Sequence, residues 1–336
     1  MFLSEKNREE GRRILQKAGV IDCHCDTATY FNQKKYPDYR FSLKNSDAHV
    51  DLPRMKEGGI LLQFFAVCVE NYSPNYLQAM ENALTTIECY WQTIQENTGF
   101  IEPVKKAADL NVLQVNHLPG ALLSLEGAAA AGYDINLMRL FYRLGVRCLS
   151  LTWNYRNQMA DGLFEKNTGS GLTRLGKEIV GMAEKSGMLL DLAHLSPGGF
   201  FNAMDLIEKP PLVSHANLSG VCSHERNLSD EQLKLLAEKG GMVGITFHPY
   251  FINNTAEASL EKLLEHFVYA ANLVGVEHVG IGSDFDGIDH TVKELIDVSY
   301  YEYLSSGLLQ KGFLPFEIES ILSGNAKNML YTVLKD

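Results

Sequence analysis

The sequence predicts an α/β protein built as a (β/α)8 barrel of the TIM type. Eight short apolar runs rich in β-branched residues recur along the chain, and amphipathic stretches separate them. No segment rich in proline, glycine or serine divides the chain. Because alternating strands and helices favour a parallel sheet that closes on itself, we expect a single barrel domain over residues 1–336, beginning with an N-terminal helix.

The predicted elements follow each other in regular order. The strands cover 20–26, 60–69, 121–128, 146–153, 187–194, 211–217, 241–248 and 278–287. Helical patterns cover 74–97, 134–144, 172–186, 197–208, 229–239, 257–275, 291–310 and 314–335, and Ser196-Pro197 and Ser229 provide start signals for two of them. The connections 27–59 and 154–171 are unusually long. Both follow the C-terminal ends of strands, where barrel active sites lie, so we expect them to be functional.

Composition and charge exclude several classes of protein. The formal net charge is −11, and no local cluster of lysine and arginine forms a nucleic-acid footprint. No run reaches about 18 apolar residues, the length that spans a bilayer. Residues 1–19 lack the apolar core of a signal peptide, and the six cysteines are scattered in a way typical of reduced thiols. We therefore expect a cytoplasmic protein without a nucleic-acid or membrane partner.

Histidines and acids recur where predicted strands end, which indicates a metal centre. Five of them are candidate ligands: His24, Asp26, Glu126, His194 and His215. Imidazole nitrogens and carboxylate oxygens suit zinc or a similar divalent ion. Five ligands exceed the needs of one tetrahedral site, whereas two metals that share a carboxylate would use them all. Such a site is typical of a hydrolase.

The first strand carries two of these ligands. Because side chains alternate along a strand, we expect Asp22, His24 and Asp26 to share one face while Cys23 and Cys25 occupy the other. A buried, hydrogen-bonded His–Asp pair without metal is the alternative for this strand alone. Glu126 favours the metal, because a lone carboxylate inside the apolar run LLSLEGA is costly without a partner.

Several longer strings resemble a known family. They are DCHCD (22–26), HVDLPRMKEGG (49–59), SLEG (124–127), DLAHLS (191–196), SHAN (214–217), RNLSD (226–230) and GSDFDG (282–287). In their order and spacing the chain resembles the membrane (renal) dipeptidases, zinc metallopeptidases related to the amidohydrolase barrels. The resemblance extends nearly from end to end. It implies two Zn²⁺ ions per chain, or similar divalent ions, bridged by Glu126 and a water or hydroxide.

The resemblance also assigns roles to individual residues. It implies that His24 and Asp26 hold one metal and that His194 and His215 hold the other. It further implies that a metal-bridging hydroxide attacks the peptide bond of a dipeptide, including some dipeptides with a D-residue at the C-terminal position. Arg226 would bind the terminal carboxylate of the substrate. A homodimer is implied as well.

Asp284 is the expected proton carrier of the reaction. It lies in GIGSDFDG at the end of the eighth predicted strand, where Gly280 and Gly282 leave room beneath it. An acid at this point can take a proton from the attacking water and pass it to the leaving amine. The alternative is that Asp284 only orients a ligand histidine. For Arg226 the alternative is a surface arginine, and the RNLSD match argues against it.

The fourth predicted strand departs from the better-known members of the family. They carry a histidine after the Leu-Thr of this strand that helps to hold the substrate and its developing oxyanion. Here Trp153 stands at that position and Asn154 follows it. The indole N–H or the amide can donate to the oxyanion, or the metal alone can stabilise it. A further alternative is that Trp153 only forms a wall of the substrate pocket.

Three functions compete for the whole chain. The first is a dizinc dipeptidase, in which Asp284 and Glu126 are catalytic and the substrate is bound by Arg226, Trp153, Asn154 and Asp284. The second is another metal-dependent hydrolase on the same barrel, acting on lactones, β-lactams or phosphate esters. The third is a metal-binding scaffold without catalysis. Arg226 favours a substrate with a free carboxylate, and retention of Asp284 argues against a scaffold.

Overall fold

Parallel strands around a common axis form the core of the protein in a computed structural model that describes residues 3–69 and 75–335. Within these residues the strands are β1 Val20–Cys25, β2 Ile60–Cys68, β3 Glu102–Pro103, β4 Gly120–Glu126, β5 Val146–Ser150, β6 Leu189–Asp191, β7 Leu212–Ala216, β8 Met242–Ile245 and β9 Val279–Ile281. The hydrogen-bonded order is β2-β1-β9-β8-β7-β6-β5-β4, and a β2–β4 pairing closes the eight-stranded barrel. The predicted (β/α)8 barrel is confirmed.

Helices follow the strands and pack around the barrel. The described helices are α1 Glu5–Ala18, α2 Leu52–Glu57, α3 Tyr76–Glu96, α4 Ala107–Asn116, α5 Ile135–Arg143, α6 Arg174–Ser186, α7 Pro197–Met204, α8 Asp230–Glu238, α9 Pro249–Asn253, α10 Leu260–Val274, α11 Tyr301–Gln310, α12 Pro315–Glu319 and α13 Asn325–Val333. Ser196 and Ser229 cap α7 and α8 as predicted, each through its side-chain oxygen. None of the helices in 3–69 and 75–335 has the length and apolar character of a membrane span.

Several predicted helices differ from those observed. The helix predicted over 291–310 begins only at Tyr301, because Val292 forms bridges to Ala258 and Leu295 that divert its backbone from helical hydrogen bonds. A π-helical turn at Ser320–Gly324 separates α12 from α13. Three short helices, α2, α4 and α9, are not predicted, and β3 is a two-residue strand beside β4. The first residue of the predicted helix 74–97 lies outside the described residues.

Close packing inside the barrel accounts for two of its glycines. A cluster of buried side chains drawn from seven strands, α4 and α13 fills the interior and the end of the barrel that these two helices cover, with Cys23 and Met242 among its members. A Cβ added at Gly280 would overlap the terminal methyl of Met242, and one at Gly282 would overlap the carbonyl oxygen of Ser214. The space predicted beneath Asp284 is therefore occupied by a methionine and by the β7 backbone.

Candidate metal centre

The C-terminal ends of the barrel strands bring the five predicted ligands into one cluster. His24 and Glu126 lie at the C-terminal ends of β1 and β4, and His215 lies in β7. Asp26 directly follows β1, and His194 lies three residues beyond β6. All except Asp26 are less than about one-tenth exposed. Parallel strands of a barrel end at one face, which explains how residues so distant in sequence meet.

Glu126 lies between two groups of nitrogen donors. Its Oε1 atom is 2.9 Å from Nε2 of His194 and 3.6 Å from Nε2 of His215. Its Oε2 atom is 3.8 Å from Nε2 of His24, which in turn is 3.5 Å from Oδ2 of Asp26. The two oxygens of one carboxylate thus face different pairs of side chains.

These side chains fit divalent metal ions. The Nε2 atoms of His194 and His215 face each other at 2.8 Å. Nε2 of His24 and Oδ1 of Asp26 are buried and have no hydrogen-bond partner among the described residues. Buried polar atoms are normally paired, so this arrangement calls for cations between the donors. Nitrogen and oxygen donors of this kind suit zinc and similar ions.

Hydrogen bonds behind the histidines leave the Nε2 atoms free to bind. Nδ1 of His194 is 2.7 Å from Oδ1 of Asn154, an acceptor, so Nδ1 carries the proton. The hydroxyl of Ser214 donates to Oδ2 of Asp191 at 2.6 Å and therefore accepts from Nδ1 of His215 at 2.8 Å. Both imidazoles present an Nε2 lone pair to the cluster.

Sequence reasoning did not anticipate Ser214, Asp191 and Cys68 at this site. Ser214 directly precedes His215 in the string SHAN, and Asp191 lies three residues before His194 in DLAHLS. This closeness to the predicted ligands is the sequence feature that could have identified both residues. Cys68 ends β2 opposite Glu126 of β4, and a hydrogen bond from Cys68 lowers the pKa of Glu126. Asp26, Cys68 and Glu126 form one of the groups whose ligand atoms lie within 4.8 Å of one another.

The predicted alternation of side chains along the first strand is wrong for Asp22, which does not share a face with His24. The carboxylate of Asp22 accepts hydrogen bonds from Tyr301 of α11, outside the barrel, and from the Ser283 hydroxyl. His24 instead lies with Glu126 in the barrel mouth. The pairing of β1 with β2 shifts register between Asp22 and Cys25, so the strict period of two is lost there.

Burial and neighbouring carboxylates raise the pKa values of Glu126 and Asp284. Burial is the main cause that raises the pKa of Glu126 to about 8, and Asp26 and Asp284 add to it. Burial also raises the pKa of Asp284 to about 7. Burial alone would lower the pKa of His24, but Glu126, Asp26 and Asp284 outweigh it and raise this pKa to about 10. The cluster has a negative potential that metal cations would neutralise.

Asp284 lies beside His24 at the edge of the cluster. Its Oδ1 atom is 3.8 Å from Nε2 of His24, and its backbone N–H donates to the carbonyl of His24. Asp284 has a φ of 66°, in the left-handed region, and so does His194 with 65°. Such conformations in non-glycine residues recur at functional sites, where the surrounding structure holds them in place. A Cβ at Gly287 would overlap the Asp26 carboxylate, which explains this glycine.

Arg226 is a buried guanidinium beside the metal ligands. It is 7% exposed, and its Nε and Nη2 atoms have no hydrogen-bond partner within the described part of the chain. Burial lowers its pKa, while the charges of Asp284 and Glu126 oppose this shift. Burial is the main cause that lowers the pKa of His194, and the positive charge of Arg226 lowers it further. Arg226 is therefore not the surface arginine of the alternative interpretation.

Trp153 and Asn154 both contact His194. The Trp153 indole is stacked with the His194 imidazole, with ring centroids 5.9 Å apart and an interplanar angle of 29°. The Asn154 oxygen accepts from the same imidazole. A role of either residue as an oxyanion donor stays a prediction.

A (β/α)8 barrel with histidine and carboxylate donors at the C-terminal ends of its strands is typical of metal-dependent hydrolases. A sequence profile of the membrane dipeptidase family, peptidase family M19, matches residues 8–334. The chain belongs to this family of metallopeptidases and is a hydrolase.

Relatives in fungi and solved structures agree with this membership. The chain is 32% identical to dipeptidase aclJ of Aspergillus oryzae over 335 residues, covering 95% of this chain and 79% of the relative. It is 30% identical to dipeptidase tcpJ of Claviceps purpurea, covering 88% and 72%. The crystal structure of dipeptidase AC, a metallopeptidase of family M19, superposes with a TM-score of 0.88 at 29% identity, covering 95% of this chain and 99% of that one.

A second solved structure carries a ligand. It is a metallopeptidase from Rhodobacter sphaeroides bound to a phosphinate mimic of the dipeptide L-Ala-D-Ala. It superposes with a TM-score of 0.88 at 28% identity, and the match covers 94% of this chain and 99% of that chain.

Proposed function

We propose that the chain hydrolyses the peptide bond of dipeptides with two zinc ions per chain that share Glu126. The observation that carries the proposal is the geometry of this carboxylate, whose Oε1 faces His194 and His215 while Oε2 faces His24. His24 and Asp26 would hold one ion, and His194 and His215 the other. The mutual burial of these donors, with two of their atoms unpartnered, supports the same arrangement.

The protein's own residues bind the substrate and move the proton. When bound, a pair of divalent ions supplies a nucleophilic hydroxide at neutral pH and polarises the scissile carbonyl. The guanidinium of Arg226 pairs with the terminal carboxylate, which fixes the dipeptide relative to Glu126. Asp284 takes a proton on a carboxylate oxygen and returns it to the nitrogen of the leaving amine. Burial raises the pKa of this carboxyl above its usual range, which favours a group that both gains and loses a proton.

We extend the proposal to dipeptides whose C-terminal residue has the D-configuration. The support is the Rhodobacter sphaeroides relative, which binds a mimic of L-Ala-D-Ala. A carboxylate clamp at Arg226 is compatible with either configuration, because it holds the carboxylate rather than the side chain. The cytoplasmic location and the homodimer stay predictions.

The test is the metal content of the protein measured together with dipeptide hydrolysis. We expect close to two zinc ions per chain in the active enzyme, and loss of activity with a chelator. Glu126→Gln should weaken both metal positions together, because the amide loses the charge that the ions share. Glu81→Gln on the exposed side of α3 is the matched control and should keep both ions.

Two results would contradict the shared carboxylate. One is a fully active protein with a single metal per chain. The other is a Glu126→Gln variant that keeps two ions and the turnover of the unchanged enzyme.

A further inference from the structure

Three aromatic rings line the β5 side of the metal centre. Trp153, Tyr155 and Phe164 contact one another with centroid distances of 5.8 Å, 6.4 Å and 5.0 Å, and we call them the aromatic wall. Phe164 is 51% exposed, whereas Trp153 stacks on the imidazole of His194. The three rings thus form one packed group that extends from the candidate metal ligand His194 to the exposed ring of Phe164. Exposed apolar patches of this kind at a functional site mark binding surfaces.

Polar contacts hold the segment that carries the wall. The Asp161 carboxylate forms an ion pair with Arg156 and accepts hydrogen bonds from the Thr168 hydroxyl at 2.5 Å and the Gly171 N–H at 3.3 Å. The N–H of Phe164 donates to the carbonyl of Asn154 at 2.9 Å. The wall is therefore formed before a ligand arrives, which lowers the entropic cost of binding.

The wall lies next to the carboxylate-binding arginine. Lys166, two residues beyond Phe164, forms an ion pair at 2.6 Å with Glu225, the residue before Arg226. Leu163, the residue before Phe164, lines one small cavity together with His194 and Arg226, so the segment that carries the wall, although not its rings, meets Arg226 there. A substrate whose terminal carboxylate pairs with Arg226 therefore places its C-terminal residue, rather than its N-terminal one, beside the wall.

We infer that the aromatic wall is the subsite for the side chain of the substrate's C-terminal residue and that it selects large apolar side chains, aromatic ones above all. This inference rests on the proposed dipeptidase function. A phenyl group that stacks on the wall gains both apolar burial and ring–ring contacts, which a methyl group does not.

The experiment compares kcat/KM for Ala-Ala, Ala-Leu, Ala-Phe and Phe-Ala, each with the L- and the D-form at the second residue. We expect Ala-Phe to exceed Ala-Ala by about 10-fold or more, and Phe-Ala to gain much less. Phe164→Ala should reduce the Ala-Phe to Ala-Ala ratio several-fold, and Phe164→Leu should retain part of it. Phe316→Ala removes a similarly exposed ring on α12 and should leave the ratio unchanged.

Binding of non-hydrolysable phosphinate mimics of Ala-Phe and Ala-Ala, measured by calorimetry, supplies a second readout and should show the same preference. The inference is overturned if the wild-type ratio is near one, if Phe164→Ala does not change it, or if the preference follows the N-terminal residue. In those cases dipeptides are still hydrolysed and the proposed function stands. If no dipeptide is hydrolysed and no mimic binds, both proposals fail.

Discussion

A single hydrogen bond between Asn154 and His194 decides which imidazole nitrogen is available to a metal. The acceptor at Nδ1 is the Asn154 carboxamide oxygen, 2.7 Å away, so the lone pair lies on Nε2, which faces Glu126. His215 has its acceptor in Ser214, which is coupled to the charge of Asp191. A neutral amide behind one histidine and a charge-coupled hydroxyl behind the other give the two ligands different basicity.

Asn154→Leu should therefore weaken the metal position at His194. We expect the zinc affinity of that position to fall about 10- to 100-fold, because the imidazole loses its tautomer and its orientation. Competition with a chromophoric chelator measures this affinity. Asn154→Asp keeps an acceptor at the same place and should restore most of it. Unchanged affinity in Asn154→Leu, combined with a lower kcat, would instead support an oxyanion role for Asn154.

Arg226 allows the proposed substrate class to be tested by its charge. Loss of a buried, charge-assisted pair costs about 2–4 kcal/mol, so Arg226→Ala should reduce kcat/KM for free dipeptides by about 30- to 1000-fold. Dipeptide amides have no carboxylate and should be poor substrates that are indifferent to the change. Arg174→Ala, an exposed arginine on α6, is the control. Equal losses on dipeptides and on their amides would mean that Arg226 acts only on the structure.

Among the elements, α10 contacts the loop that carries Arg226 through His266. Nδ1 of this buried histidine accepts from the Leu218 N–H at 3.2 Å, and Nε2 donates to the Ile252 carbonyl at 3.1 Å. Leu218 begins the loop that carries Arg226, and Ile252 belongs to α9. Burial lowers the pKa of His266 to about 4, and protonation would break its bond to Leu218.

The free energy of unfolding should therefore depend on pH through His266. The folded state binds fewer protons than the unfolded state between the folded pKa of about 4 and an unfolded value of about 6.5, so stability falls as pH decreases through this window. The full contribution is about 3 kcal/mol. His266→Gln, which keeps a donor and an acceptor, should show a shallower decline in urea titrations. His117→Asn on the surface should not, and an identical slope in both variants would refute the assignment.

At the scale of the whole molecule, the sequence predicts the barrel and most of the site for one reason. Every candidate ligand ends an apolar run, and the ends of parallel strands meet at one face, so their order along the chain is sufficient to place them together. His24, Glu126 and His215 meet in this way although 191 residues separate the first from the last. No knowledge of the loops is needed for that result.

What could not be predicted depends on contacts between elements. The irregular register beside Asp22 arises from the pairing of β1 with β2, which no local pattern reports. The orientation of Asn154 toward His194 depends on how the loop after β5 folds back. The absence of helix over 291–297 depends on bridges from Val292, one of them to distant Ala258. Each of these outcomes is a tertiary effect that overrides local propensity.

The position of β1 between β2 and β9 has a consequence for synthesis on the ribosome. At about 5–20 residues per second, β9 follows β1 by roughly 13–50 s. Until then the sheet is open, and β1 and β7 lie far apart on either side of the missing pairings with β8 and β9. Only closure brings the rings of His24 and His215 to a centroid distance of 3.8 Å. A nascent chain thus carries two separated half-sites and exposed strand edges, and it becomes a metalloenzyme only with its last strands.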